Sequence, residues 1–169
     1  MTEIAFRPLE RGDLSQMRDW LERPHVREWW DEYDDVEGHY LPRIEGDDPC
    51  RVFLILLDGQ PVGMIQTYLV GDDRDEWPSE IGSDEAGVDL FIGEAELIGS
   101  GLGPRAIRRF VEEIVFADAR VTACIADPDA RNTRSLRAFE KGGFVGAGEF
   151  TRPGEPPQVL VRLRRDVVD

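Results

Sequence analysis

Hydrophobic positions recur along this chain with two periods, and each marks a different kind of element. Ile4 to Leu9 reads as a first short strand. Leu14, Met17, Trp20 and Leu21 fall at i, i+3, i+6 and i+7, one face of a 3.6-residue period, with Asp13 placed as N-cap and Arg23-Pro24 as the break. Pro24 to Trp30 predicts a further helical turn or two, followed by an acidic stretch and a short helix over Val36 to Ile44. Cys50 to Leu57 and Gln60 to Val70 are β-rich runs around Asp58-Gly59, a pair that tolerates positive φ, so they predict a hairpin. Gly87 to Ile92 is the next strand, and the helix opening at Pro104 carries Ile107, Phe110, Val111, Ile114 and Val115 on one face. Val121 to Ala126 is a strand, Arg131 to Lys141 a shorter helix ended by Gly142-Gly143, and Phe144 to Phe150 with Gln158 to Arg164 are closing strands around a Pro/Gly turn. The pattern predicts an α/β domain with a mixed, mostly antiparallel central sheet flanked by helices and a βαβ unit in its second half. No repeat or linker divides it, so residues 1–169 are expected to form a single domain.

Charge narrows the choice of partner. Twenty Lys and Arg face 35 Asp and Glu, a net charge of −15, which repels phosphate backbones and anionic bilayers and so excludes nucleic acid and membrane surfaces as partners. Two readings of the acidity stay open, solubility and attraction of a cationic small molecule or peptide. Much of it sits in the Gly71 to Ala86 loop, where Asp72, Asp73, Asp75, Glu76, Glu80, Asp84 and Glu85 face one basic residue, Arg74. The longest apolar run, Val52 to Leu57, is far too short to span a membrane, and the N-terminus has no basic-then-apolar stretch. Cys50 and Cys124 sit in apolar runs without metal-ligand spacing, so buried free thiols in the cytoplasm and no metal are expected.

The candidate chemistry begins at Gly99-Ser100-Gly101-Leu102-Gly103, a glycine-rich loop between a strand and a helix. Backbone N–H groups and the positive end of the helix dipole converge there on an anion such as a pyrophosphate, although a tight turn would need the same glycines. The spacing is neither a Rossmann fingerprint nor a P-loop. Read together, Gly87-Val88-Asp89-Leu90-Phe91-Ile92, Ile98 to Gly103, Asp127-Pro128, Asn132 and Leu136 to Phe144 resemble the acetyl-CoA core of the GNAT acyltransferase superfamily. Within it the chain is most similar to the aminoglycoside 6'-N-acetyltransferases, a likeness extending to His25 to Trp30, Tyr40-Leu41-Pro42 and Gln66-Thr67-Tyr68.

The resemblance implies an N-acetyltransferase acting on a primary amine of a cationic small molecule, with acetyl-CoA as donor, in a monomer or homodimer. It implies that Gly99, Ser100, Gly101, Leu102, Gly103 and Pro104 hold the coenzyme pyrophosphate. Leu90, Phe91 and Ile92 would pair with the pantetheine arm, and Asn132, Phe139 and Lys141 would also border the coenzyme. Two departures stand out: Ile98 replaces a frequent Arg or Gln, and Phe139 replaces a tyrosine whose phenol could protonate the leaving thiolate. A thiol pKa near 8.5 makes that acid dispensable. The acceptor ammonium must lose a proton, and Asp89 matches the family's probable base, with Asp127 matching a second acidic residue facing the acceptor. On local grounds Asp89 also reads as an edge-strand polar residue and Asp127 as a turn or cap residue. Trp29, Trp30, Tyr40, Gln66, Tyr68, Asp75 and Trp77 are the expected acceptor residues, since aromatic faces and carboxylates suit aminated sugars; one of the two tryptophans equally reads as a core anchor. His25 and His39 are expected to be structural. Two other activities fit parts of the pattern: a siderophore-pathway lysine N-acyltransferase, whose relatives usually carry histidine at position 89, and a coenzyme A-binding module without turnover.

Overall fold

The computed structural model describes residues 2–30 and 34–168, so the acidic stretch after Trp30 begins outside the described residues. The strands are β1 Ile4–Pro8, β2 Arg51–Leu57, β3 Gln60–Leu69, β4 Glu85–Ile92, β5 Ala123–Ala126, β6 Val145–Phe150 and β7 Gln158–Arg164. They follow the order β1-β2-β3-β4-β5-β7-β6 in a seven-stranded sheet. The pairs β1/β2, β2/β3, β5/β7 and β6/β7 are antiparallel, while β4 runs parallel to β5 over Glu85–Gly87 and Ala123–Ile125. The helices are α1 Leu14–Glu22, α2 Pro24–Arg27, α3 Val36–Glu45, α4 Leu102–Phe110, α5 Thr133–Lys141 and α6 Arg165–Val168. This is the mixed, mostly antiparallel α/β architecture that the pattern predicts.

Two compact units share the chain: the described residues of Met1–Thr67 with Asp89–Ser100, and of Tyr68–Val88 with Gly101–Asp169. In the first, Leu14, Met17, Trp20 and Leu21 are all buried, as the helical period requires. Arg23 leaves α1 in an extended conformation because the following Pro24 disfavours the helical region. Asp13 precedes α1 without capping it. Its carboxylate instead takes the Glu10 N–H at 2.8 Å and the Arg7 guanidinium at 2.9 and 3.0 Å. Burial works to raise the Asp13 pKa, but these bonds outweigh it and hold the group below its ordinary value. The hairpin turn has positive φ at Asp58 and Gly59, as expected. Glu94, just past β4, accepts from Trp20 Nε1 at 3.0 Å and from Arg23 Nη1 at 2.8 Å, which ties the strand end to α1.

In the second unit β4 starts at Glu85, inside the span expected to be loop. The reason is a buried charge with a distant partner: Glu85 accepts from Arg162 Nε of β7 at 2.6 Å and from the Gly82 N–H at 2.6 Å. α4 begins at Leu102 rather than Pro104 and passes into a π-helical turn over Val111–Val115. Ile107, Phe110, Val111 and Val115 are buried, so the predicted apolar face survives the change of helix type. The four-residue α6, too short to show a period, was not foreseen.

Candidate active site

Asp89 lies in β4 within the first unit, and its carboxylate accepts a hydrogen bond from Gln66 of β3. Gln66, only 5% exposed, donates from Nε2 to Asp89 Oδ2 at 3.2 Å. Its other end, Oε1, accepts from Arg43 Nη1 of α3 at 2.9 Å. An amide held at both ends cannot turn over without setting like groups against each other, so Arg43 fixes the orientation in which Gln66 presents an N–H to the carboxylate. Gln66, expected on the acceptor side, is thus joined to the candidate base. Arg43 was not singled out, and its only signal was its place directly after Tyr40-Leu41-Pro42.

The neighbouring residues divide between core and surface. Leu90 is half-buried, and Phe91 turns its ring into the core, edge-on to Trp20 at 6.0 Å and Trp30 at 5.3 Å. The Ile92 carbonyl accepts from His25 Nε2 at 3.0 Å, a structural contact. Trp29 and Trp30 are half-buried just beyond α2. Tyr40 requires a correction: it is 0% exposed, with its ring edge-on to His39 at 4.7 Å, so it backs the core and offers an acceptor no surface. The His39 pKa is lowered to about 4, first by burial and then by the Arg43 charge.

The glycine-rich loop has the geometry of an anion cradle. Gly99 and Gly101 have φ of 79° and 87°, a region that favours glycine, and no side-chain atom lies where a Cβ would be added at either. The Ser100 hydroxyl turns back to the Leu97 carbonyl. Gly101 sits at the N-cap of α4 and no side chain caps the helix. Leu102, Gly103 and Arg105 carry N–H groups in this first turn, whereas Pro104 carries none. Leu102 is buried and anchors the turn, and a Cβ on Gly103 would stand 3.7 Å from Ala138 of α5. Asn132 spends its side-chain oxygen on the Ser135 N–H at 3.1 Å, capping α5. Phe139 is 2% exposed and packs edge-on against Phe144 at 5.1 Å, so it is a packing residue with almost no surface for the coenzyme; Lys141 is exposed.

Asp127, Tyr68 and Trp77 come together in the second unit around a residue that sequence reasoning missed, Arg152. Tyr68 packs closely over Gly87 of β4, where a Cβ would come within 2.3 Å of the ring. Trp77 stands 6.4 Å from Tyr68 and 5.9 Å from Phe150, and donates from Nε1 to Asp73 at 2.7 Å. Arg152, two residues past β6, reaches Asp127 Oδ2 and Gln158 Oε1 from Nη1 at 2.9 and 2.8 Å, and the Glu76 carbonyl from Nε at 3.0 Å. Its Cζ is 4.6 Å from the Trp77 ring centre and 4.9 Å from that of Phe150. Both partners of the ion pair are nearly buried, with side chains 13% and 12% exposed. Burial works to lower the Arg152 pKa, but Asp127, with the more distant charges of Asp75 and Glu155, outweighs it and raises it. Asp75 itself is exposed. Among the described residues, no group of three or more His, Cys, Asp and Glu could hold a metal ion, and no helix is long and apolar enough to cross a membrane.

Residues 10–152 match the Acetyltransferase (GNAT) domain family. The chain belongs to the GNAT acetyltransferases. Members of this family take the acetyl group from acetyl-CoA, and the uncapped, glycine-opened start of α4 suits such a donor. Over 169 residues the chain is 31% identical to aminoglycoside N(6')-acetyltransferase type 1 of Klebsiella pneumoniae, covering 96% of this chain and 84% of that protein. It is 26% identical over 153 residues to lysine N-acyltransferase MbtK of Mycolicibacterium paratuberculosis, covering 88% and 69%. The crystal structure of aminoglycoside acetyltransferase AAC(6')-Ib in complex with coenzyme A and kanamycin superposes with a TM-score of 0.89 at 32% identity, covering 97% of this GNAT chain and 96% of that one.

Proposed function

We propose that this chain is an acetyl-CoA-dependent aminoglycoside 6'-N-acetyltransferase in which Asp89 is the general base. The substrate class is supported by the whole-length similarity to aminoglycoside N(6')-acetyltransferase, and the base by the Gln66–Asp89 hydrogen bond, which aims one carboxylate with a neutral donor. A primary ammonium of pKa about 10.4 costs roughly 4 to 5 kcal/mol to deprotonate near pH 7. Asp89 takes that proton as the amine nitrogen attacks. When bound, acetyl-CoA supplies a thioester whose carbonyl carbon receives the nitrogen and whose sulfur departs. The first-turn N–H groups of α4 hold the pyrophosphate, and β4, which pairs with β5 over Glu85–Gly87 and runs on to Ile92, offers its later peptide groups to pantetheine. With Phe139 buried against Phe144, solvent protonates the thiolate. Trp29, Trp30 and Tyr68 supply aromatic surface to the acceptor, and Trp77 and Asp127 lie on its side.

Thiol release over a panel of amines tests this reading. Aminoglycosides with a 6'-amine should turn over best, ahead of aminoglycosides lacking it, lysine and hydroxylysine derivatives, polyamines and short peptides. With a net charge of −15, their KM should rise with salt more than that of a singly charged amine, since exposed charges are screened over about 8 to 10 Å. Preference for lysine-type acceptors overturns the aminoglycoside assignment and promotes a lysine N-acyltransferase activity, in line with the similarity to lysine N-acyltransferase MbtK. Coenzyme binding that is lost in Gly101→Asp, with no thiol release for any amine, leaves a binding module.

A further inference from the structure

The surroundings of Arg152 are those of a binding site for a different cation. Two aromatic faces, Trp77 and Phe150, tilt to one another by 47° and form a corner. Three oxygens open into it: the Glu76 carbonyl, Asp127 Oδ2 and Gln158 Oε1. A guanidinium brings five N–H donors, and here Nε spends one and Nη1 spends two. The Nη2 group is buried with no hydrogen-bond partner. Leaving donors unspent in the interior is costly, so a guanidinium is an imperfect occupant. A primary ammonium has three N–H donors, one for each oxygen, and π faces attract it equally well.

We propose that Arg152 is a specificity-determining residue: its guanidinium fills an ammonium-shaped box of Trp77, Phe150, Asp127, Gln158 and the Glu76 carbonyl, and so withholds two acceptor-side groups from a polycationic acceptor. The proposal rests on the reading that Trp77 and Asp127 belong to the acceptor side. The acceptor's second ammonium competes with an internal cation that is tethered by the chain and therefore present at high effective concentration. Arg152 thereby tunes affinity downward for acceptors with many amines and leaves singly charged amines nearly untouched.

The experiment compares wild type, Arg152→Ala, which empties the box, Arg152→Met, which fills it without charge, and Arg152→Lys, which keeps a cation. Binding of a tetra-amino aminoglycoside and of a singly charged primary amine is measured by calorimetry, alongside melting temperature with and without methylammonium. Arg152→Ala is expected to bind the polycation about three- to thirtyfold tighter relative to the single amine, the range of one cation–π contact plus a charge-assisted hydrogen bond offset by ordering. Arg152→Lys should keep the wild-type ratio, and methylammonium should raise the melting temperature of Arg152→Ala alone. A uniform loss of affinity for both amines in Arg152→Ala, with no response to methylammonium, identifies Arg152 as a strut between the 73–77 loop and β7 and overturns the proposal. Thiol release by wild type keeps the two questions apart. Turnover of aminoglycosides with no gain in Arg152→Ala removes the box and leaves the activity; a methylammonium response without turnover of any aminoglycoside does the reverse.

Discussion

Asp89 and Asp127 lie in different compact units and are held by partners of different chemistry. Asp89 takes a hydrogen bond from the neutral amide of Gln66, which orients one oxygen while adding no charge. Asp127 takes one from the Arg152 guanidinium, whose positive charge faces the carboxylate in a nearly dry setting. As the proposed base, Asp89 would exchange a proton with the acceptor amine, and the Gln66 amide is a donor that sets no positive charge of its own against that exchange. Asp127, bound to a nearly buried guanidinium, serves as its counter-ion. The same residue type thus suits proton transfer in one unit and fixed charge in the other.

The largest effect expected from this contrast is on turnover. Asp89→Asn should lower kcat by about a hundredfold or more, the ordinary range for a lost general base, with coenzyme affinity retained. Asp127→Asn should act mainly on acceptor KM and change kcat by less than about tenfold. Steady-state kinetics beside coenzyme calorimetry decides it. Equal losses of kcat in the two variants would erase the distinction and point to Asp127 as a second proton carrier.

A smaller effect is expected from the support behind Asp89. Removing the amide by Gln66→Leu, or its anchor by Arg43→Met, should each reduce kcat by about three- to twentyfold, the worth of one or two oriented hydrogen bonds. Arg43 reaches Asp89 through Gln66, so a double-mutant cycle should be strongly non-additive, with Arg43→Met costing little once Gln66 is gone. Arg43→Lys, which keeps a donor and the charge, should recover part of the rate. Additive losses would mean that Arg43 acts by another route, its 3.9 Å approach to Asp48 being the nearest.

These two carboxylates were legible in the sequence, while the side chains that differentiate them were not. Local signals carry far: the α1 face, the Asp58-Gly59 turn and the positive-φ glycines at 99 and 101 depend on neighbours a few residues away, and all are found where the pattern put them. Arg152 stands 25 residues from Asp127, and Arg43 stands 23 from Gln66. Nothing in a Thr-Arg-Pro-Gly turn says which distant carboxylate its arginine will meet. The early start of β4 was hidden likewise, since a glutamate beside an acidic loop looks solvated until its partner, Arg162, arrives from 77 residues on. Burial of Tyr40 was equally invisible, because an aromatic in a helix fits a cleft wall and a core alike.

The smallest effect concerns pH, and it is needed to read the comparison cleanly. His39 belongs to the unit that holds Asp89. The His39 pKa is lowered to about 4 from 6.5, by burial and the charge of Arg43, against the opposing pull of Asp48 and Asp35. Between these values the unfolded chain binds a proton that the folded chain refuses. Stability is therefore fully present above pH 6.5, falls as pH drops through the window and levels off near pH 4. Asp13, Glu94 and Asp129 act lower down, since their folded values lie below the ordinary 3.8, 4.5 and 3.8, and their stabilisation is lost only in more acid solution. Denaturant midpoints at pH 7 and pH 4.5 should therefore fall less in His39→Gln than in wild type, and an identical fall in both would remove His39 as the cause. An acid limb of kcat/KM that persists in His39→Gln does not arise from that imidazole, whereas one that vanishes with it reports loss of the folded unit.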